Sequence, residues 1–145
     1  MIGLIQRVTH ASVSVDNSIC GEIDQGILLL LGIERNDTQD HANRLLEKIL
    51  NYRIFPDSLG KMNLSLRDIN GGLLIVSQFT LAADTKKGLR PSFTSAASPQ
   101  DAEALYNHFT ARAKSIQQDT QCGIFGADMQ VSLCNDGPVT FSLHS

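Results

Sequence analysis

Three short stretches of this chain carry groups that could do chemistry. The first is Ser77-Gln78-Phe79-Thr80, where Ser77, Gln78 and Thr80 set hydrogen-bonding side chains at the end of the apolar run Leu73 to Val76. Polar groups placed so either line a site or simply end a strand. A hydroxyl nucleophile needs a neighbouring base, and no histidine lies near Ser77 or Thr80 in sequence. The second stretch is Lys86-Lys87-Gly88-Leu89-Arg90, a local cationic patch that suits an anionic partner or plain solvation equally well. The third is Asn135 to Leu143, NDGPVTFSL. Asp136-Gly137 is turn chemistry, yet Pro138 removes a backbone donor where the alternating run Val139 to Leu143 should begin a ladder.

Other chemistries lack their residues. Phosphate-binding GxxxxGK and GxGxxG loops are absent, as is a GxSxG nucleophile elbow. The four histidines are scattered without HExxH, and the three cysteines (Cys20, Cys122, Cys134) show no CxxC spacing. No metal and no cofactor is proposed, and the cysteines are expected to be small packing residues in a reducing compartment. A net charge of −3 argues against a protein that coats long nucleic acid. It leaves room for gripping a short piece of RNA. The longest apolar run, Ile27 to Leu31, is strand-sized and far short of the roughly 20 residues that span a bilayer. With no basic segment leading a long apolar core at the N-terminus, the expectation is a cytoplasmic protein without a membrane partner.

The elements that must position these groups read as follows. Met1 to Val8, Ala11 to Val15 and Ile19 to Ile23 are strands, the last two joined through Asp16-Asn17-Ser18 as a hairpin. Ile27 to Ile33 suits a central strand covered on both faces. Ala42, Leu45, Leu46, Ile49 and Leu50 fall on one face of a helix capped by Asp37 or Thr38. A short strand near Tyr52 to Phe55 and a buried strand over Leu73 to Phe79 come next. Ser98-Pro99 then opens a second helix whose stripe is Ala102, Leu105, Tyr106, Phe109, Ala113 and Ile116. The tail returns to strand over Cys122 to Phe125, Met129 to Asn135 and Val139 to His144, the last two read as the arms of a hairpin. The 145 residues are expected to form one α+β domain, 1–145, with two main helices against a mixed or antiparallel sheet.

Taken together, the segments MIGLIQRVTHASVSVD, GKMNLSL, VSQFTLAAD, RPSF and ADMQVSLCNDGPVTFSL resemble the D-aminoacyl-tRNA deacylase family of bacteria and most eukaryotes. The resemblance runs the whole chain, and SQFT together with GPVT is its specific part. It implies a β-rich α+β homodimer with composite active sites at the subunit interface. The implied reaction is hydrolysis of the ester joining a D-amino acid, or glycine, to the 3′-terminal adenosine of tRNA, a proofreading step that spares L-aminoacyl-tRNA.

Roles carried over by resemblance fall on particular residues. Gly137 and Pro138 correspond to a cis-peptide motif that reaches into the partner subunit's site and excludes an L side chain by main-chain contact, with Val139 and Thr140 beside it. Arg7 corresponds to an arginine that orients the carbonyls of that motif. Ser77, Gln78, Phe79 and Thr80 line the catalytic wall, where backbone N–H groups near Phe79 serve as the oxyanion hole. In the family view the 2′-hydroxyl of the tRNA assists water activation, which answers the missing base. Phe125 and Met129 fall in the part that holds the terminal adenine, or else they are core. Two other readings stay open: a small-ester hydrolase with Thr80 as nucleophile, and a non-catalytic RNA-end binding module.

Overall fold

The computed structural model describes residues 1–86 and 88–145; Lys87, part of the basic run, lies outside the described residues. Its strands are β1 (Ile2–Val15), β2 (Ser18–Ile23), β3 (Gly26–Gly32), β4 (Phe55–Pro56), β5 (Met62–Leu64), β6 (Gly72–Ser77), β7 (Thr120–Cys122) and β8 (Gln130–His144). Its helices are α1 (Gln39–Asn51), the short α2 (Leu66–Ile69) and α3 (Pro99–Ile116), with a 3₁₀ turn over Phe79–Ala82.

A long ribbon organises the sheet. Asp16 and Asn17 take positive φ values of 49° and 63°, the backbone a two-residue hairpin turn demands. The returning chain then pairs with β1 from Val15↔Ser18 through Ala11↔Ile23 and on from Val8↔Gly26 to Ile2↔Gly32. Strands β2 and β3 therefore lie end to end along one edge of β1. Its other edge is taken by β8, antiparallel from Ser14↔Gln130 to Ile2↔His144. Beyond β3 the sheet continues with β6 and β7, both parallel, so the expected mixed α+β architecture is present.

The apolar pattern explains the layers. Along β3, Ile27, Leu29 and Leu31 join the cluster formed with Leu45, Ile49, Tyr106 and Phe109 of the two long helices. Leu28 faces the other way, with Leu74 and Val76, into a second cluster completed by Val8, Val13 and Ile23. Ribbon residues beyond Val8 fold across that second face, with Gly21 close against the Cys122 carbonyl. A continuous apolar run is what a strand covered on both faces requires. Thr38 caps α1 by accepting from the His41 N–H, and Ser98 caps α3 ahead of Pro99, as the sequence suggests.

Several expectations are corrected. The tail is not a hairpin: Gln130–Asn135 and Thr140–His144 both pair with β1 and belong to one strand, β8. Local turn chemistry at Asp136-Gly137-Pro138 suggested a reversal, but a long partner strand keeps the chain running straight on. The strand after Asn70 ends at Ser77, and Phe79 opens the 3₁₀ turn instead. The strand near Tyr52 shrinks to Phe55–Pro56, and that near Cys122 lies earlier, over Thr120–Cys122. Helix α2 adds to the expected elements; four residues give no periodicity to read. Cys134 is exposed rather than a packing residue, because it stands on the outward-facing phase of β8.

Gly26 and Gly72 face each other at the start of the parallel pair β3/β6. A Cβ on Gly26 would lie 1.9 Å from the Gly72 carbonyl oxygen, a backbone atom that cannot step aside. Gly26→Ala is expected to lose about 3 kcal/mol or more of stability, the upper range for overpacking, in a denaturant titration. A change below about 0.5 kcal/mol would contradict this packing.

Candidate active site

A cavity of about 630 Å³ opens at the carboxyl ends of the parallel strands β3 and β6. One wall is Ser77, Gln78 and Phe79, where β6 gives way to the 3₁₀ turn. The Gln78 N–H still donates to the Leu31 carbonyl at 2.8 Å, which pins the break to β3. The N–H groups of Phe79 and Thr80 come next, in the first turn, where no preceding helical carbonyl can receive them. Thr80 lies outside the cavity lining, and its hydroxyl accepts a hydrogen bond from the Gln78 side-chain amide at 2.6 Å. An amide is no base, so this bond does not activate the hydroxyl.

The opposite wall holds Phe125 and Met129, with Val131 at the start of β8. Tyr106 of α3 fixes this wall from behind. Its hydroxyl lies 3.1 Å from both the Ile75 and Gly123 carbonyls, and its ring packs 5.6 Å from that of Phe125. Burial pushes the Tyr106 hydroxyl far above its ordinary range, so it stays a proton donor. A Cβ on Gly123 would fall 2.6 Å from the Met129 sulfur, so any side chain there would have to displace the Met129 thioether.

Gly137 and Pro138 lie elsewhere on the chain. Between the pairs Val8↔Asn135 and Gln6↔Thr140, the four residues Asp136 to Val139 stand opposite Arg7 alone, so the strand bulges outward there. The Gly137-Pro138 peptide bond is cis, and both residues are exposed. Gly137 has φ +139°, and a Cβ would meet Val139 at 2.6 Å and the Arg7 guanidinium at 3.1 Å, so only glycine fits. Asn135 closes the base of the bulge: its side chain accepts from the Val139 N–H at 2.7 Å and donates to the Thr140 hydroxyl at 2.8 Å.

Arg7 anchors the bulge, but not through the carbonyls the resemblance implied. Its Nε donates to the Asp136 carbonyl at 2.9 Å and faces the Asp136 carboxylate at 3.1 Å. Its Nη1 donates to the Ile54 carbonyl at 2.6 Å. The side chain is 11% exposed, which keeps these charge-assisted bonds out of bulk solvent.

Known proteins resemble this chain over its whole length. The family model described as D-Tyr-tRNA(Tyr) deacylase matches residues 4–144. The chain belongs to the D-Tyr-tRNA(Tyr) deacylase family. A D-aminoacyl-tRNA deacylase of Pseudoalteromonas translucida (strain TAC 125) is 64% identical over 143 residues, covering 99% of each chain. One from Stutzerimonas stutzeri (strain A1501) is 63% identical over 145 residues and 100% of both chains. Among solved structures, the c-Myc DNA Unwinding Element Binding Protein superposes with a TM-score of 0.94 at 42% identity, over 100% of this chain and 99% of that one. A probable eukaryotic D-amino acid tRNA deacylase shares the fold at a TM-score of 0.83 and 16% identity, over 98% of each chain.

Within this member of the deacylase family, Ser77, Gln78, Phe79, Phe125 and Met129 come together around one cavity. Arg7, Gly137, Pro138, Val139 and Thr140 gather at the bulge, and no residue is common to the two groups. The bulge is level with Ile27, the partner of Arg7, whereas the cavity opens at Leu31. Four residues of strand separate those levels, about 13 Å. Sequence reasoning missed Asn135 and Asp136 as parts of the bulge. An Asx residue just before a Gly-Pro pair was the available signal, since its side chain bonds its own backbone.

Arg7→Met strands the Asp136 and Ile54 carbonyls and is expected to cost about 1–3 kcal/mol in chemical denaturation. Arg7→Lys should recover only part, because an ammonium does not reproduce the fixed fork of the guanidinium. Full recovery by lysine would show that charge alone matters there.

Proposed function

We propose that this chain, acting as one domain over residues 1–145, hydrolyses the ester of D-aminoacyl-tRNA and of glycyl-tRNA while sparing L-aminoacyl-tRNA. The observation that carries the reading is a cavity whose described lining holds no nucleophile–base pair and ends on the 3₁₀ turn opened by Phe79, in a chain of the deacylase family. Phe125 and Met129 receive the terminal adenine on the apolar wall. The ester carbonyl lies against backbone N–H groups near Phe79, with Ser77 and Gln78 lining the same side.

The chemistry then needs only water and the substrate. Water oxygen adds to the ester carbonyl, and the oxyanion is held by those N–H groups, each such donor contributing ~2.7–4 kcal/mol in hydrolases where it has been removed. The 2′-hydroxyl of the terminal ribose relays the proton lost by water. The bond to the 3′-oxygen breaks, that oxygen takes the proton, and the D-amino acid leaves.

Selectivity comes from the bulge. Gly137 and Pro138 enter the cavity of a second copy of the chain, steadied by Arg7, Val139 and Thr140, and their main chain leaves space at the substrate's α-carbon for hydrogen only. Rejection by a clash excludes every L side chain without having to recognise any D side chain. The separation between bulge and cavity within one chain supports a homodimer with composite sites.

The test uses purified protein and matched D-, L- and glycyl-tRNA, following loss of the acyl group. D- and glycyl-tRNA should be hydrolysed and L-aminoacyl-tRNA spared. Thr80→Ala should keep most activity, while a substrate ending in 2′-deoxyadenosine should slow by ~10²-fold or more, the contribution of a lost proton relay. Loss of activity in Thr80→Ala with small D-amino esters turned over well would favour Thr80 as nucleophile. No hydrolysis of any acyl-tRNA would leave an RNA-end binding module.

A further inference from the structure

The mouth of the cavity has a feature that this deacylase reading does not use. Phe79 and Phe93 stand there with ring centroids 5.0 Å apart, yet they are 62% and 40% exposed. Phe93 reaches the mouth from the segment after the 3₁₀ turn, which the Asp84↔Ser92 bridge closes into a strap. The base of the strap is tied down: the Asp84 and Ser92 main chains bond each other at 2.8 and 3.0 Å, and the Ser95 hydroxyl donates to the Ala82 carbonyl. Lys86 and Arg90 lie on the exposed part of the strap. The nearby carboxylate, Asp84, is occupied in accepting from the Lys86 main-chain N–H at 2.9 Å. An exposed aromatic face leading from a base-sized cavity to cations, on a chain of net charge −3, matches a single-stranded polyanion with stackable bases.

We propose that Phe93 is a stacking platform for the nucleotide preceding the terminal adenosine, and that Lys86 and Arg90 track the adjoining phosphates. The inference rests on the deacylase reading for which base fills the cavity, and it adds recognition of the single-stranded RNA end beyond that base. Phe79 holds the Phe93 ring upright, leaving its other face to the base. Nucleobase identity matters little on such a surface, because every base offers a π face.

Two measurements test the track. The first compares kcat/KM on D-aminoacyl-tRNA with that on the 3′-D-aminoacyl ester of adenosine alone, which cannot reach the strap. The ratio of the two should fall about fivefold in Phe93→Leu, the low end for one base–aromatic stack, and recover in Phe93→Tyr. In the double variant Lys86→Gln/Arg90→Gln the same ratio should fall through KM, and the log–log salt dependence should flatten by about 1.4 for two lost phosphate contacts. The second measurement is direct binding of the uncharged single strand 5′-ACCA-3′ against adenosine. The wild type should prefer the tetranucleotide, and Phe93→Leu should cut that preference about fivefold or more. An unchanged ratio together with no preference for the tetranucleotide overturns the track even when hydrolysis is normal. A tetranucleotide preference reduced in Phe93→Leu, in a protein that hydrolyses neither ester, supports the track and overturns the deacylase reading instead.

Discussion

Everything in this molecule hangs on β1 being paired along both edges. A strand of fourteen residues with β2 and β3 on one side and β8 on the other leaves few backbone groups without a ladder partner. Satisfying buried backbone groups is obligatory, so the neighbours of β1 are fixed in register over most of its length. The β8 edge is interrupted twice: the register shifts at Thr9, and at Arg7 β8 departs from the ladder for four residues. There the side chain does what the ladder cannot, donating to two carbonyls from two different segments.

The same pairing links cavity and bulge. Met129 and Val131 form part of the cavity wall at the start of β8, and Gly137 lies further along the same strand. The cavity's opposite wall is set by the end of β6, held to β3 by the Gln78 main chain. Tyr106 then ties that end to the segment carrying Phe125. Candidate catalytic groups therefore sit on a frame of main-chain hydrogen bonds, with side chains such as Phe79 and Phe93 left exposed at its mouth.

How much of this was legible depended on whether the signal was local. The faces of α1 and α3 could be read because their apolar residues recur with helical period, and Ser98-Pro99 announced its own cap. The doubly covered β3 was visible in its unbroken apolar run. The continuous β8 was hidden, because Asp136-Gly137-Pro138 has the composition of a reversal and the strand that overrides it lies more than a hundred residues away. The cavity wall at Ser77 to Phe79 was readable as polar residues after an apolar strand. That Gln78 occupies Thr80 with a hydrogen bond, and that Arg7 reaches Asp136 and Ile54, depended on side-chain directions that no spacing rule encodes.

Along β8, Val131 and Leu133 turn inward while Ser132 and Cys134 face out. Because side chains alternate, loss or gain of one residue between Gln130 and Asn135 would exchange those sets, driving a hydroxyl and a thiol into the second core. It would also drag Met129 out of phase with Gly137. This stretch can drift by substitution but not by length. Descendants of this chain should therefore keep a constant count of residues from the cavity wall to the bulge.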